Sequence, residues 1–159
     1  RCMAEVHVIG EIVGATGVGS PAVNFFRLGG GFGVWCRYEI LVENNGRWIK
    51  KGGAVREDDA AKPHCVDTEG RPVSSEFGET QVCVCKPGAE ALWAHPIDVH
   101  YSTTSIRGWP RMLFEVWSQD VGGRNELAGY GVAHVPCAAG QYELDVPLWR
   151  PAAAIARER

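Results

Sequence analysis

The chain has 159 residues, 45% of them hydrophobic and 22% charged, the proportions of one globular domain rather than a disordered tail. Its 16 basic and 19 acidic side chains leave a net charge of −3, which offers nucleic acid or an anionic membrane no general attraction. No stretch approaches the 18 uninterrupted apolar residues of a membrane-spanning helix, and the opening twenty, interrupted by Glu5, His7 and Glu11, do not read as a secretory signal.

Residues 6–13 alternate, with Val6 and Val8 on one side and Glu5 and His7 on the other, as a half-buried strand does. Residues 14–33 are rich in glycine and read as a long connection. Residues 34–42 alternate again, Val34, Cys36, Tyr38, Ile40 and Val42 against Arg37 and Glu39. Asn44-Asn45-Gly46 then signals a hairpin, with residues 47–51 as the returning strand. Residues 52–78 are charged and aperiodic and read as a solvated loop. A short strand over 80–85 is turned by Lys86-Pro87-Gly88. Strands follow over 93–101, 111–118 and 127–136, the last with Gly129 and Gly131 marking a bulge or a close approach of backbone. A further strand is expected over 142–149, carrying Leu144, Val146 and Leu148, and a short helix over 152–159. Seven or eight short strands without a helix among them predict an antiparallel β-sandwich or barrel.

Chemical motifs are sparse. Cys83-x-Cys85 places two thiols on one face of a strand, and His64, Cys65, His95 or His100 would have to complete a zinc site; no second pair has matching spacing. The blander reading, two small strand side chains, outweighs it. Asp58, Asp59, Asp67, Asp98 and Asp120 are too scattered to supply six converging oxygens for calcium. Gly14-x-x-Gly17-x-Gly19 lacks the order of a nucleotide loop, and no Gly-x-Ser-x-Gly elbow occurs. His7, His100 and His134 fall on strands, where a structural histidine is the ordinary case. The six cysteines (2, 36, 65, 83, 85 and 137) read as reduced, mostly buried thiols of a cytosolic protein. No catalytic residue, metal or cofactor is nominated. Trp and Arg occur together at Trp109 and Arg111 and at Trp149 and Arg150, either as stacks within the fold or as anchors for a partner protein.

Several stretches are similar to the B9 domain family of ciliary transition-zone proteins. These are Met3-Ala-Glu-Val-His-Val-Ile-Gly10, His95-Pro-Ile-Asp98, Gly108-Trp-Pro110, Gly129-Tyr-Gly131, His134-Val-Pro136 and the closing Trp149-Arg-Pro151, in this order. The resemblance implies an all-β, C2-like antiparallel sandwich, without its last strand. It implies one domain over 3–151 with a tail over 152–159, and the long loops near 14–33 and 52–78 depart from it. It also implies a non-enzymatic subunit of the Meckel syndrome (B9) complex, needed for cilium assembly and for gating ciliary membrane proteins. Expected partners are other B9-domain proteins and members of that complex, close to membrane and without nucleic acid. The expected location is cytoplasm and cytoskeleton, at the basal body and transition zone. Partner binding is then expected at Trp109, Arg111, Trp149 and Arg150. The alternative is a peripheral C2-like module that touches lipid directly through a tip formed by Arg107, Trp109 and Arg111.

Overall fold

A computed structural model describes residues 3–18, 32–42, 47–51, 74–86, 88–119 and 122–150. The Asn44-Asn45-Gly46 turn, the stretch 52–73 and the short helix expected over 152–159 lie outside them. Among the described residues there are eight strands: β1 (Ala4–Ala15), β2 (Phe32–Val42), β3 (Trp48–Lys50), β4 (Ser74–Glu79), β5 (Cys83–Cys85), β6 (Ala91–Thr103), β7 (Arg111–Gln119) and β8 (Asn125–His134). They form two antiparallel sheets, β1-β6-β3 and β4-β2-β7-β8, with β5 also paired to β2. No helix occurs among the described residues. The architecture is an antiparallel sandwich, one of the two forms the alternation predicts, and it fits the C2-like fold that the resemblance implies.

Each sheet turns its apolar row inward, and the core gathers at two ends. Phe32, Val34, Cys36, Trp93 and Val116 fill one end. Ile40, Val42, Trp48, Ile97, Val99, Tyr101 and Met112 fill the other. Buried indoles bring an N–H that needs a partner. That of Trp93 donates across the sandwich to the Val34 carbonyl at 3.1 Å, tying β6 to β2. Between the two ends Tyr38 Oη meets His95 Nε2 at 3.3 Å, a second polar link between the sheets.

Three expectations are corrected. Residues 47–51 do not return along β2: β3 crosses to the other sheet and pairs with β6, Trp48 opposite Thr103. The end of the expected loop is strand β4, which lies along β2 with Phe77 opposite Glu39. Its composition hid it, because an edge strand with few apolar residues has no period to read. Residues 142–149 are not a strand but an irregular segment with one bridge, Trp149 to Tyr130, closed by two backbone hydrogen bonds of 2.8 and 2.9 Å.

The expected role of the β8 glycines holds. The register shifts at Ala128, a bulge opposite Val116 and Trp117. A Cβ on Gly131 would come within 2.9 Å of the Pro147 carbonyl oxygen and 3.0 Å of Leu148 Cδ2. Only glycine lets this segment lie against β8, and Leu148 then packs on the core. A second bulge sets Trp93 and Ala94 opposite Val13, with Ala94 at φ 47°.

Candidate functional site

The face of β2, β7 and β8 turned away from the core carries large apolar side chains among charged ones, which one layer of core does not explain. In an exposed antiparallel sheet the outward row is normally polar. Here register aligns four outward rows. Trp35 lies opposite Trp117, which lies opposite Leu127. Arg37, Glu115 and Tyr130 form the next row, Glu39, Leu113 and Val132 the third, and Leu41, Arg111 and His134 the last. β4 extends three of them, with Glu79 beside Arg37, Phe77 beside Glu39 and Ser75 beside Leu41.

The face is organised by its aromatic rings. Trp35 and Trp117 stack with centroids 6.4 Å apart and planes 15° apart. Trp117 Nε1 donates to Glu115 Oε2 at 3.2 Å, which fixes the indole on the surface. Arg37 lies over the Phe77 ring at 5.9 Å with its Nε 3.9 Å from Glu79 Oε1. Tyr130 and Trp149 meet at 6.0 Å at the β8 margin. Phe77 and Trp149 are each about half exposed, at 52% and 53%. Rigid Trp and Tyr rings beside Arg are the residues that carry most energy in protein interfaces, because they desolvate much area at little entropic cost.

The four residues nominated from sequence do not form one cluster. Arg111 stands in the last row of this face, and Trp149 borders the β8 end of the second row beside Tyr130. Arg150 reaches away to the Gly17 carbonyl, 3.5 Å from Nη2. Trp109 is half buried: its Nε1 donates to the Val135 carbonyl at 2.7 Å, and its ring meets Trp48 edge-on at 5.5 Å. It locks the loop between β6 and β7 to the core, together with Trp48, whose Nε1 donates to the Arg107 carbonyl at 2.7 Å. Trp35 and Trp117 were not nominated. Their signal was present in the strand pattern, as a Trp at an outward position in each of two strands.

Cys83 and Cys85 share a face, as their spacing predicts, with their Sγ atoms 3.5 Å apart. Among the described residues no group of three or more His, Cys, Asp or Glu side chains is arranged to hold a metal ion. Burial pushes the Cys36 thiol up to about 12. Burial, and then contact with Cys83, push that of Cys85 up to about 11. Such thiols stay protonated and unreactive.

Comparison with known proteins identifies the family. Residues 6–158 match the family model B9-C2, described as "Ciliary basal body-associated, B9 protein". B9 domain-containing protein 2 of Rattus norvegicus is 41% identical over 149 residues, 94% of this chain and 66% of that protein. The Homo sapiens protein of the same name is 39% identical over the same shares. B9 domain-containing protein 1 of Mus musculus is 37% identical over 60 residues, 38% of this chain and 29% of that protein. The chain therefore spans about two thirds of the length of the first two relatives. No solved structure matches it. With a family match over nearly its whole length and two bulged, paired sheets that carry the motifs, the chain belongs to the B9 family of ciliary basal body-associated proteins.

Proposed function

We propose that the chain is a non-enzymatic subunit of a ciliary B9 complex, and that it binds other B9-domain proteins through the outward face of β2, β7 and β8. The observation that carries this reading is the Trp35–Trp117 stack, set among Leu113, Leu127 and Val132 on a sheet face with no second layer among the described residues. Family membership supports a role at the cilium and basal body. Finer roles, in the Meckel syndrome complex at the transition zone, in cilium assembly and in gating membrane proteins, follow from the same reading. Arg111 and Trp149 then act at the margins of the interface, and Trp109 and Arg150 act by holding the loops behind it.

The test is recovery of B9-domain proteins with the tagged chain from ciliated cells, beside the double variant Trp35→Ser/Trp117→Ser. Recovery with the wild type and loss with the variant is expected. Equal recovery from both excludes this face, and recovery from neither sinks the complex reading. Of the Arg107, Trp109 and Arg111 tip of the lipid-binding alternative, Trp109 is lost to the core, where its N–H donates to Val135; Ile106, outside that tip as first read, is 80% exposed beside Arg107. Co-sedimentation of the chain with anionic liposomes is expected to be negative; binding without any protein partner would put the membrane module first.

A further inference from the structure

The proposed function leaves the Cys83-x-Cys85 motif unused. Both residues stand on β5 and turn to the same side, which brings their sulfurs into contact at 3.5 Å. Their settings differ. Cys85 is 4% exposed and belongs to the core around Phe32 and Trp93. Its thiol also lies 3.6 Å from the Cys83 carbonyl and 3.8 Å from that of Glu90. Cys83 packs against the same cluster from a partly exposed position. Cys36 of that core donates elsewhere, to the Arg37 carbonyl at 3.5 Å.

Two thiols in contact are two electrons away from a disulfide. Residues two positions apart on a strand have Cα atoms about 6.6 Å apart. That is near the upper limit of the roughly 4.4–6.8 Å that a disulfide accepts. The bond therefore forms from this strand only by shortening it, against the ladder that sets Cys83 opposite Val34 and Cys85 opposite Phe32. A bond closed against such resistance is easily reduced, as reversible pairs are and structural disulfides are not.

We propose that Cys83 and Cys85 form a reversible oxidation site, closed to a disulfide by a hydroperoxide. Cys83, the sulfur that solvent reaches, attacks as the thiolate. A sulfur–oxygen bond forms, the O–O bond breaks, and the leaving hydroxide takes up the proton that the thiol gave up. The Cys85 sulfur then attacks that of Cys83. The S–S bond forms, the S–O bond breaks, and the Cys85 proton leaves with the hydroxyl as water. The two thiols lose two electrons and two protons, and hydrogen peroxide becomes two waters. Burial keeps Cys85 protonated and closed to reagents in solvent, so it acts second, on a sulfur already beside it. The site uses neither Trp35 nor Trp117, so it and the proposed function fail separately.

Peptide mapping of the folded chain tests the site. The protein is exposed to hydrogen peroxide until the exposed Cys137 is oxidised, then blocked with N-ethylmaleimide and cleaved after glutamate. Cleavage after Glu79 and Glu90 isolates Cys83 and Cys85 on one peptide, Thr80 to Glu90. That peptide is expected to be two hydrogens lighter and free of maleimide, and reduced glutathione should restore both labels. Two maleimides retained after peroxide overturn the proposal. So does a Cys83 sulfinic acid beside a free Cys85, a disulfide to another cysteine, or a bond that survives glutathione. The wild-type map requires no variant. The order of attack is read with dimedone, which traps sulfenic acids: C85A should give an adduct on Cys83, and C83A none on Cys85. An adduct on Cys85, or none on Cys83, overturns the assigned roles.

Discussion

Trp35 and Trp117, 82 positions apart in the chain, lie directly opposite each other on β2 and β7 and stack at 6.4 Å on the outward face of their sheet. A stacked aromatic pair contributes about 0.5–1.5 kcal/mol beyond its area. Trp117→Ala should therefore lower stability by at least that amount in urea unfolding. Its effect on partner recovery should be much larger, because interface anchors cost ~2 kcal/mol or more on truncation. A variant that loses stability and partner in equal measure would make the stack a purely structural pair.

Trp93 is 3% exposed and its N–H is committed to Val34. Trp93→Ala should cost about 3–5 kcal/mol, as truncations of buried aromatics do. Trp93→Phe keeps most of the ring but leaves the Val34 carbonyl without that donor, and should cost about 1–3 kcal/mol. Chemical denaturation of both variants checks the order. Equal losses would mean that volume alone matters there.

Gly131 and Gly10 form a matched pair of tests. A Cβ at 131 presses on Pro147, Leu148 and Val146, whereas one at 10 meets nothing within 4 Å. Gly131→Ala should destabilise by about 1–3 kcal/mol as the segment over 146–149 is pushed off β8. Gly10→Ala should be close to neutral in thermal unfolding. Similar melting temperatures for both would refute the close approach.

The thiols make stability depend on pH at the alkaline end. Cys36 and Cys85 rise from 9.0 to about 12 and about 11 in the folded chain, because burial disfavours the thiolate. Between those limits the unfolded chain binds fewer protons, so unfolding free energy falls as pH rises. This contribution is complete below about pH 9 and is lost as pH climbs through 11 to 12. Denaturation midpoints over that range should decline less steeply in Cys36→Ala than in the wild type. In the same protein the exposed Cys137 should be alkylated before the buried Cys36 and Cys85.

Much of the candidate site was legible in the strands one at a time. Leu113, Glu115 and Trp117 were already on the far side of their strand from Met112, Phe114 and Val116, and the structure keeps them there. What could not be read was which strand stood next to which. Trp109 shows the same limit: its neighbours Arg107 and Arg111 suggested a surface anchor, yet the Val135 carbonyl that takes its N–H is 26 residues away.

By itself the sequence determined the all-β class, the two faces of the strands that alternate clearly and the family, because a period of two and a string of motifs are local properties. The tertiary structure alone decided that β3 crosses to the second sheet, that β4 exists, that Trp109 packs inward and that Trp35 meets Trp117. Those are pairings between distant segments, and they are set by which backbone edges and apolar rows can be satisfied together, a balance that no single stretch of chain contains.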